Sequence, residues 1–183
     1  MLPCETAILV AVDAAGCVGR TALQKIIFFA KEAGLTEADY KPHYYGPYSR
    51  EVAANLLSLV AAGWIQEISE AWPNGSVFGE RHRYTYRLTP TGQDALKKLV
   101  EGNDSAAEAL RKIVRLCQQK TGLDFQMLSW AAKIHFLSNK RRELHSASDV
   151  AQEARKWGWE VREEDVPKVA GLLEELQSVK PSC

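Results

Sequence analysis

The sequence predicts a mainly α fold with one small β-hairpin wing, an α+β arrangement, and three observations predict it. Apolar residues recur at spacings of three and four through most of the chain, the period of helices buried along one side. Residues 80–89 alternate instead, with Tyr84, Tyr86 and Leu88 on one side and Arg81, Arg83, Thr85 and Arg87 on the other. Asn74-Gly75 lies just before them, and that dipeptide supplies the left-handed backbone of a tight hairpin.

The first predicted helix covers residues 4–15, with Gly16 and Gly19 punctuating a short turn after it. Its apolar run over residues 7–12 has no basic residue before it and is broken by Asp13, so it suits a buried helix better than a signal peptide. Thr21 is expected to cap a second helix that stops at Gly34. Leu23, Ile26, Ile27 and Ala30 form its inward stripe, with Gln24, Lys25 and Lys31 turned outward.

A tyrosine-rich extended piece then runs through Gly46-Pro47 into a third helix that starts near Pro47 or Ser49. The serine hydroxyl suits an N-cap. Val52, Leu56, Leu59 and Val60 point inward, while Arg50, Glu51, Ala54, Asn55, Ser58 and Ala62 point outward, up to a stop at Gly63. Residues 64–72 and 80–89 are the two strands of the hairpin, and Gly79 marks a bulge or a widened tip. Thr89-Pro90 opens a fourth helix, carried by Ala95, Leu96, Leu99 and Val100.

Residues 101–105, EGNDS, read as a linker. Beyond it lies a strongly amphipathic helix over 106–119, striped by Leu110, Ile113, Val114 and Cys117. Three more helices follow over residues 125–139, 148–157 and 163–177, with Gly158 stopping the middle one and Trp157, Trp159 and Val161 closing their core. The pair around residues 158–162 resembles a helix-turn-helix, although a plain helical hairpin with the same pattern is commoner. The order helix, helix, helix, hairpin in residues 1–102 is that of a winged helix-turn-helix domain, with residues 103–183 forming a helical C-terminal domain.

Charge bears on what such a scaffold binds. The 23 basic residues balance 23 acidic ones, and the two halves are each close to neutral, with 10 against 11 before residue 103 and 13 against 12 after it. The chain therefore lacks the global positive field that draws many proteins to phosphate, and DNA contact would need a local patch. Cys4, Cys17, Cys117 and Cys183 form no CxxC pair, so free thiols in a reducing cytoplasm are expected, with no metal and no cofactor. No stretch is long enough for a membrane helix.

Catalytic patterns are sparse. His43, His82, His135 and His145 fall in four separate predicted elements without the spacing of a helical zinc pair, and His135 reads as a packed core residue. No GxSxG, phosphate loop or glycine-rich dinucleotide turn is present. A non-enzymatic protein is expected.

Three segments carry a family resemblance: GRTALQKIIFFAKEAGL from Gly19, HYYGPYSREVAANLLSLVAAGWI from His43 and YRLTPTGQDAL from Tyr86. Together they resemble the YwgA-like family of uncharacterised prokaryotic proteins, and the LQKIIFFA pattern is similar to the SocA/Panacea antitoxin domain. The resemblance implies a winged-helix-like fold without established catalytic activity and, for the antitoxin relatives, neutralisation of a toxin by direct contact. Tyr45, Gly46, Pro47, Tyr48 and Ser49 match the family block, and no catalytic role attaches to them.

The function expected is that of a DNA-binding transcriptional regulator. Arg50 and Asn55 would read bases, the helix N-terminus at Ser49 would meet a phosphate, and Arg81, Arg83 and Arg87 would clamp the neighbouring backbone. The alternative for those arginines is a solvated strand face paired with Glu67 and Glu70. The alternative for the whole is an antitoxin-like or adaptor protein, with Tyr45, Tyr48 and the alanine-rich third helix contacting a toxin or other protein. A homodimer suits either.

Overall fold

A computed structural model describes residues 1–71, 82–140 and 146–179. It is mainly helical with a small antiparallel sheet. Helix α1 (Cys4–Ala15) is followed by a two-residue strand β1 (Val18–Gly19) and helix α2 (Arg20–Glu32). A hairpin of β2 (Lys41–His43) and β3 (Gly46–Tyr48) leads into α3 (Arg50–Ala61), and β4 (Ile65–Ala71) and β5 (His82–Leu88) follow. Helices α4 (Pro90–Leu99), α5 (Asp104–Thr121), α6 (Phe125–Lys140), α7 (Ala147–Lys156) and α8 (Val166–Gln177) complete the order, with a 3-10 turn over Glu163–Asp165 leading into α8.

The main sheet runs β1-β5-β4, with Val18 opposite Tyr86 and Ile65 opposite Leu88. The short β1 had no alternation to reveal it. Helix α1 lies at the centre: Ala7 to Val12 are all 0% exposed, which explains an apolar run too continuous for a one-sided helix. Leu110, Ile113, Val114 and Cys117 of α5 join the same buried cluster as the residues of α1 and α2, so one core runs through both halves of the chain. The expected linker is shorter than the EGNDS run, because α5 already begins at Asp104.

One start differs from the sequence expectation, and of the two positions offered for α3 the serine is the one that holds. Helix α2 begins one residue before Thr21, with Gly19 at the cap position and no side-chain cap. Pro47 belongs to β3, and α3 starts at Arg50 with Ser49 as its cap: the serine oxygen accepts from the Val52 N–H at 3.2 Å. Thr89 caps α4 as expected, accepting from the Gly92 N–H at 3.0 Å. Asn74-Gly75, Gly79, Arg81, Arg141, Arg142, His145 and Cys183 lie outside the described residues.

The larger correction concerns α2. Gln24 and Lys25, expected on its outward face, are 5% and 1% exposed. The β2–β3 hairpin covers them. A helix with a second element laid across its polar stripe has no solvent face there, and the stripe alone cannot reveal that.

Candidate interaction groove

The hairpin is anchored to α2 by hydrogen bonds from buried polar side chains. Gln24 pairs with Ser49 through both backbone groups, donating Nε2 to the carbonyl at 2.9 Å and accepting the N–H on Oε1 at 3.1 Å. Lys25 donates Nζ to the Pro47 carbonyl at 2.7 Å. Tyr40 closes the near side by donating its hydroxyl to the Gln24 carbonyl at 3.0 Å. Each buried backbone group met this way avoids a desolvation cost of about 1–3 kcal/mol.

The C-terminal helices hold the hairpin from the other side. Gly46 adopts φ +94°, and an added Cβ would stand 3.0 Å from Cγ of Lys133 on α6. Trp159, in the turn after α7, donates its indole N–H to the His43 carbonyl at 2.7 Å. Trp159 stacks on Trp157 with ring centroids 5.9 Å apart, and both meet Phe136 edge-on.

Between this hairpin, α3 and the sheet lies a cavity of about 550 Å³. Tyr45, Tyr48, Tyr84 and Tyr86 supply its aromatic wall, and Ala53, Leu56 and Leu57 of α3 supply the aliphatic one. Leu57 stands 63% exposed at that helix. Arg20 at the start of α2 lies over the Tyr84 ring at 4.9 Å, and Lys25 lines the same space.

Electrostatics single out Lys25. Burial, and then the like charge of Lys133, lower its pKa from the ordinary lysine value to about 7. Lys133 is itself lowered by burial. Across the cavity, Tyr86 donates its hydroxyl to Glu67 at 2.7 Å, and burial followed by that carboxylate raises the phenol well above its usual range.

The residues expected to bind fall in different places. Tyr45 and Tyr48 line the cavity, with Tyr45 edge-on to Phe125 and Tyr48 beside His43. Ser49 is fully buried, so its part is to cap α3 and fix the hairpin rather than to offer a surface. Arg50 is exposed at the start of α3. Asn55 turns the other way, toward Cys4 and the residues beside the chain start.

On β5, Tyr84 and Tyr86 face the cavity, so the alternating Arg83 and Arg87 belong to the opposite side of the strand. Arg87 donates Nε to Gln66 at 2.9 Å, and Arg83 stands opposite Glu70 in register. Glu67, expected to pair with an arginine, stands opposite Tyr86 instead. Arg81 lies outside the described residues. His135 is a half-buried residue rather than a core one: it packs edge-on against Phe28 and Phe29, with Nε2 at 3.6 Å from Glu32. That imidazole, and then Lys31, hold the Glu32 carboxyl down at about 2 against the opposing effect of burial.

Sequence reasoning missed Arg20 and Lys25. The available signal was weak: KIIFFA places a lysine beside the most apolar stretch of α2, a position where burial by a later element is the alternative to solvent. Among the described residues, no group of three or more His, Cys, Asp or Glu side chains is placed to hold a metal, and no helix is long and apolar enough to cross a membrane. Cys4, Cys17 and Cys117 are free thiols, and burial raises Cys117 to about 12.

No family model matches the chain. It is similar to the uncharacterised protein YwgA of Bacillus subtilis (strain 168), with 36% identity over 81 residues, 44% of this chain. Those residues are 45% of the relative, so the chain spans about half the length of the curated protein it matches.

Proposed function

We propose that this protein is a non-enzymatic winged-helix module that acts by docking a polypeptide in the groove between α3, the β2–β3 hairpin and the sheet. The element order α1-β1-α2-α3-β4-β5 and the strand order β1-β5-β4 support the winged-helix assignment. The observation that carries the docking reading is the composition of the groove: four tyrosines and an exposed Leu57 beside an α3 surface of short side chains. Tyrosine and arginine are favoured interface anchors, whereas base readout needs long donors and acceptors, of which that helix has few. Its occupant presents an apolar anchor to Leu57 and negative charge to Arg20. The likeness of LQKIIFFA to the antitoxin domain supports the same direction, toward a toxin-like or adaptor contact.

A photo-crosslinking residue placed at Leu57 of the full chain, in cells, tests it. A discrete protein adduct that disappears with Tyr48→Ala is the expected result. Absence of any adduct would overturn the reading.

The element order also favours a second reading, DNA binding with Arg50 at the exposed start of α3. Its measurement is fluorescence anisotropy of a labelled random duplex across a salt series. Salt-sensitive binding abolished by replacing Arg81, Arg83 and Arg87 with glutamate would establish it.

A further inference from the structure

Lys25 is 1% exposed, yet its ammonium makes one hydrogen bond, to the Pro47 carbonyl, and the charge it feels most strongly is the like charge of Lys133. An ammonium carries three donors, and buried charges are ordinarily paired with opposite ones. Glu67 lines the same groove and accepts from the Tyr86 hydroxyl, a neutral donor that leaves its charge in place, and among the described residues it makes no ion pair with Lys25. Arg20 lines the cavity too, so two cationic side chains and one carboxylate face a space walled by aromatic rings.

From this we infer that the groove is a carboxylate-recognition site, in which an acid group attached to an aromatic or apolar body meets Lys25 and Arg20 while the body packs among Tyr45, Tyr48 and Tyr84. A volume of about 550 Å³ is within the range that encloses a small organic acid or a terminal aromatic residue of a peptide. The assignment deepens the docking reading by naming what the groove recognises. An anion there supplies an opposite charge that Lys25 lacks among the described residues.

The test is an NMR titration of the full-length, 15N-labelled chain, followed at the backbone amides of Tyr45, Gly46 and Tyr48. The probes are phenylacetate and N-acetylphenylalanine, each against its own neutral amide. Saturable shifts with either acid, at least tenfold weaker for the matching amide, are expected. Phenylacetate alone would identify a free organic acid as the source, N-acetylphenylalanine alone a peptide carboxyl terminus. Lys25→Met removes the preference for acid over amide, and Arg20→Gln, at an exposed position, weakens it without threatening the core.

Equal binding of acid and amide, or no shift at these amides with either acid, overturns the assignment. The Leu57 crosslink reads partner docking separately. An adduct without acid preference would leave the docking reading standing and remove this one, and acid preference without an adduct would do the reverse.

Discussion

Lys25 is where burial and charge conflict most strongly. Its pKa of about 7 in the folded chain lies below the ordinary lysine value of 10.5 that applies when unfolded. Between those two values the unfolded chain binds more protons, so stability contributed through this group rises as pH rises from about 7 toward 10.5. Below pH 7 both states are protonated, and this group adds no further slope. The melting temperature should therefore climb by several degrees between pH 7 and pH 9.5, since 1 kcal/mol is roughly 2–4 °C in a chain of this size. Lys25→Met should flatten that climb in a pH series of thermal melts; an unchanged slope would mean the lysine is not the group responsible.

Gly92 in the first turn of α4 shows how packing overrides propensity. Alanine is favoured over glycine inside a helix by about 1 kcal/mol. Here an added Cβ would sit 2.0 Å from the Trp64 carbonyl oxygen, a backbone atom with little room to move, and 3.1 Å from a Leu88 methyl. Gly92→Ala should thus destabilise, by about 3 kcal/mol or more, the upper part of the range for forced overpacking. Denaturant unfolding measures it, and a gain in stability would refute the close approach.

Helices α1, α3 and α5 and the β4–β5 hairpin were readable because each is amphipathic or continuously apolar in its own right, and Ser49 and Thr89 announce their helix starts by side-chain chemistry. Strand β1 has only two residues, and β2–β3 exists through pairing across Tyr44-Tyr45, so neither carries a periodic signal. Tyr45 and Tyr48, singled out in the sequence, do line the groove. The burial of Gln24 and Lys25 was not, because it depends on an element that arrives more than twenty residues later.

For the whole molecule, the shared core has a consequence for any attempt to divide it. Helix α1 is buried on all sides, and α5 supplies Leu110, Ile113, Val114 and Cys117 to the cluster around it. A fragment of residues 1–102 would bare that apolar surface to water at a cost of about 25 cal/mol per Å². Such a fragment is expected to lose the single cooperative melt of the full chain and to self-associate, as calorimetry and light scattering would report. A sharp, monomeric melt of the fragment would show instead that the first half stands alone.

The bond from Trp159 to the His43 carbonyl spans 116 positions of sequence. On a ribosome the chain emerges from its first residue, at about 5–20 residues per second, so the hairpin is synthesised many seconds before the indole that ties it down. Until that indole emerges, the tyrosine wall lacks its rear fastening. The nascent chain therefore carries an unfinished groove until the tryptophans that follow α7 have been synthesised.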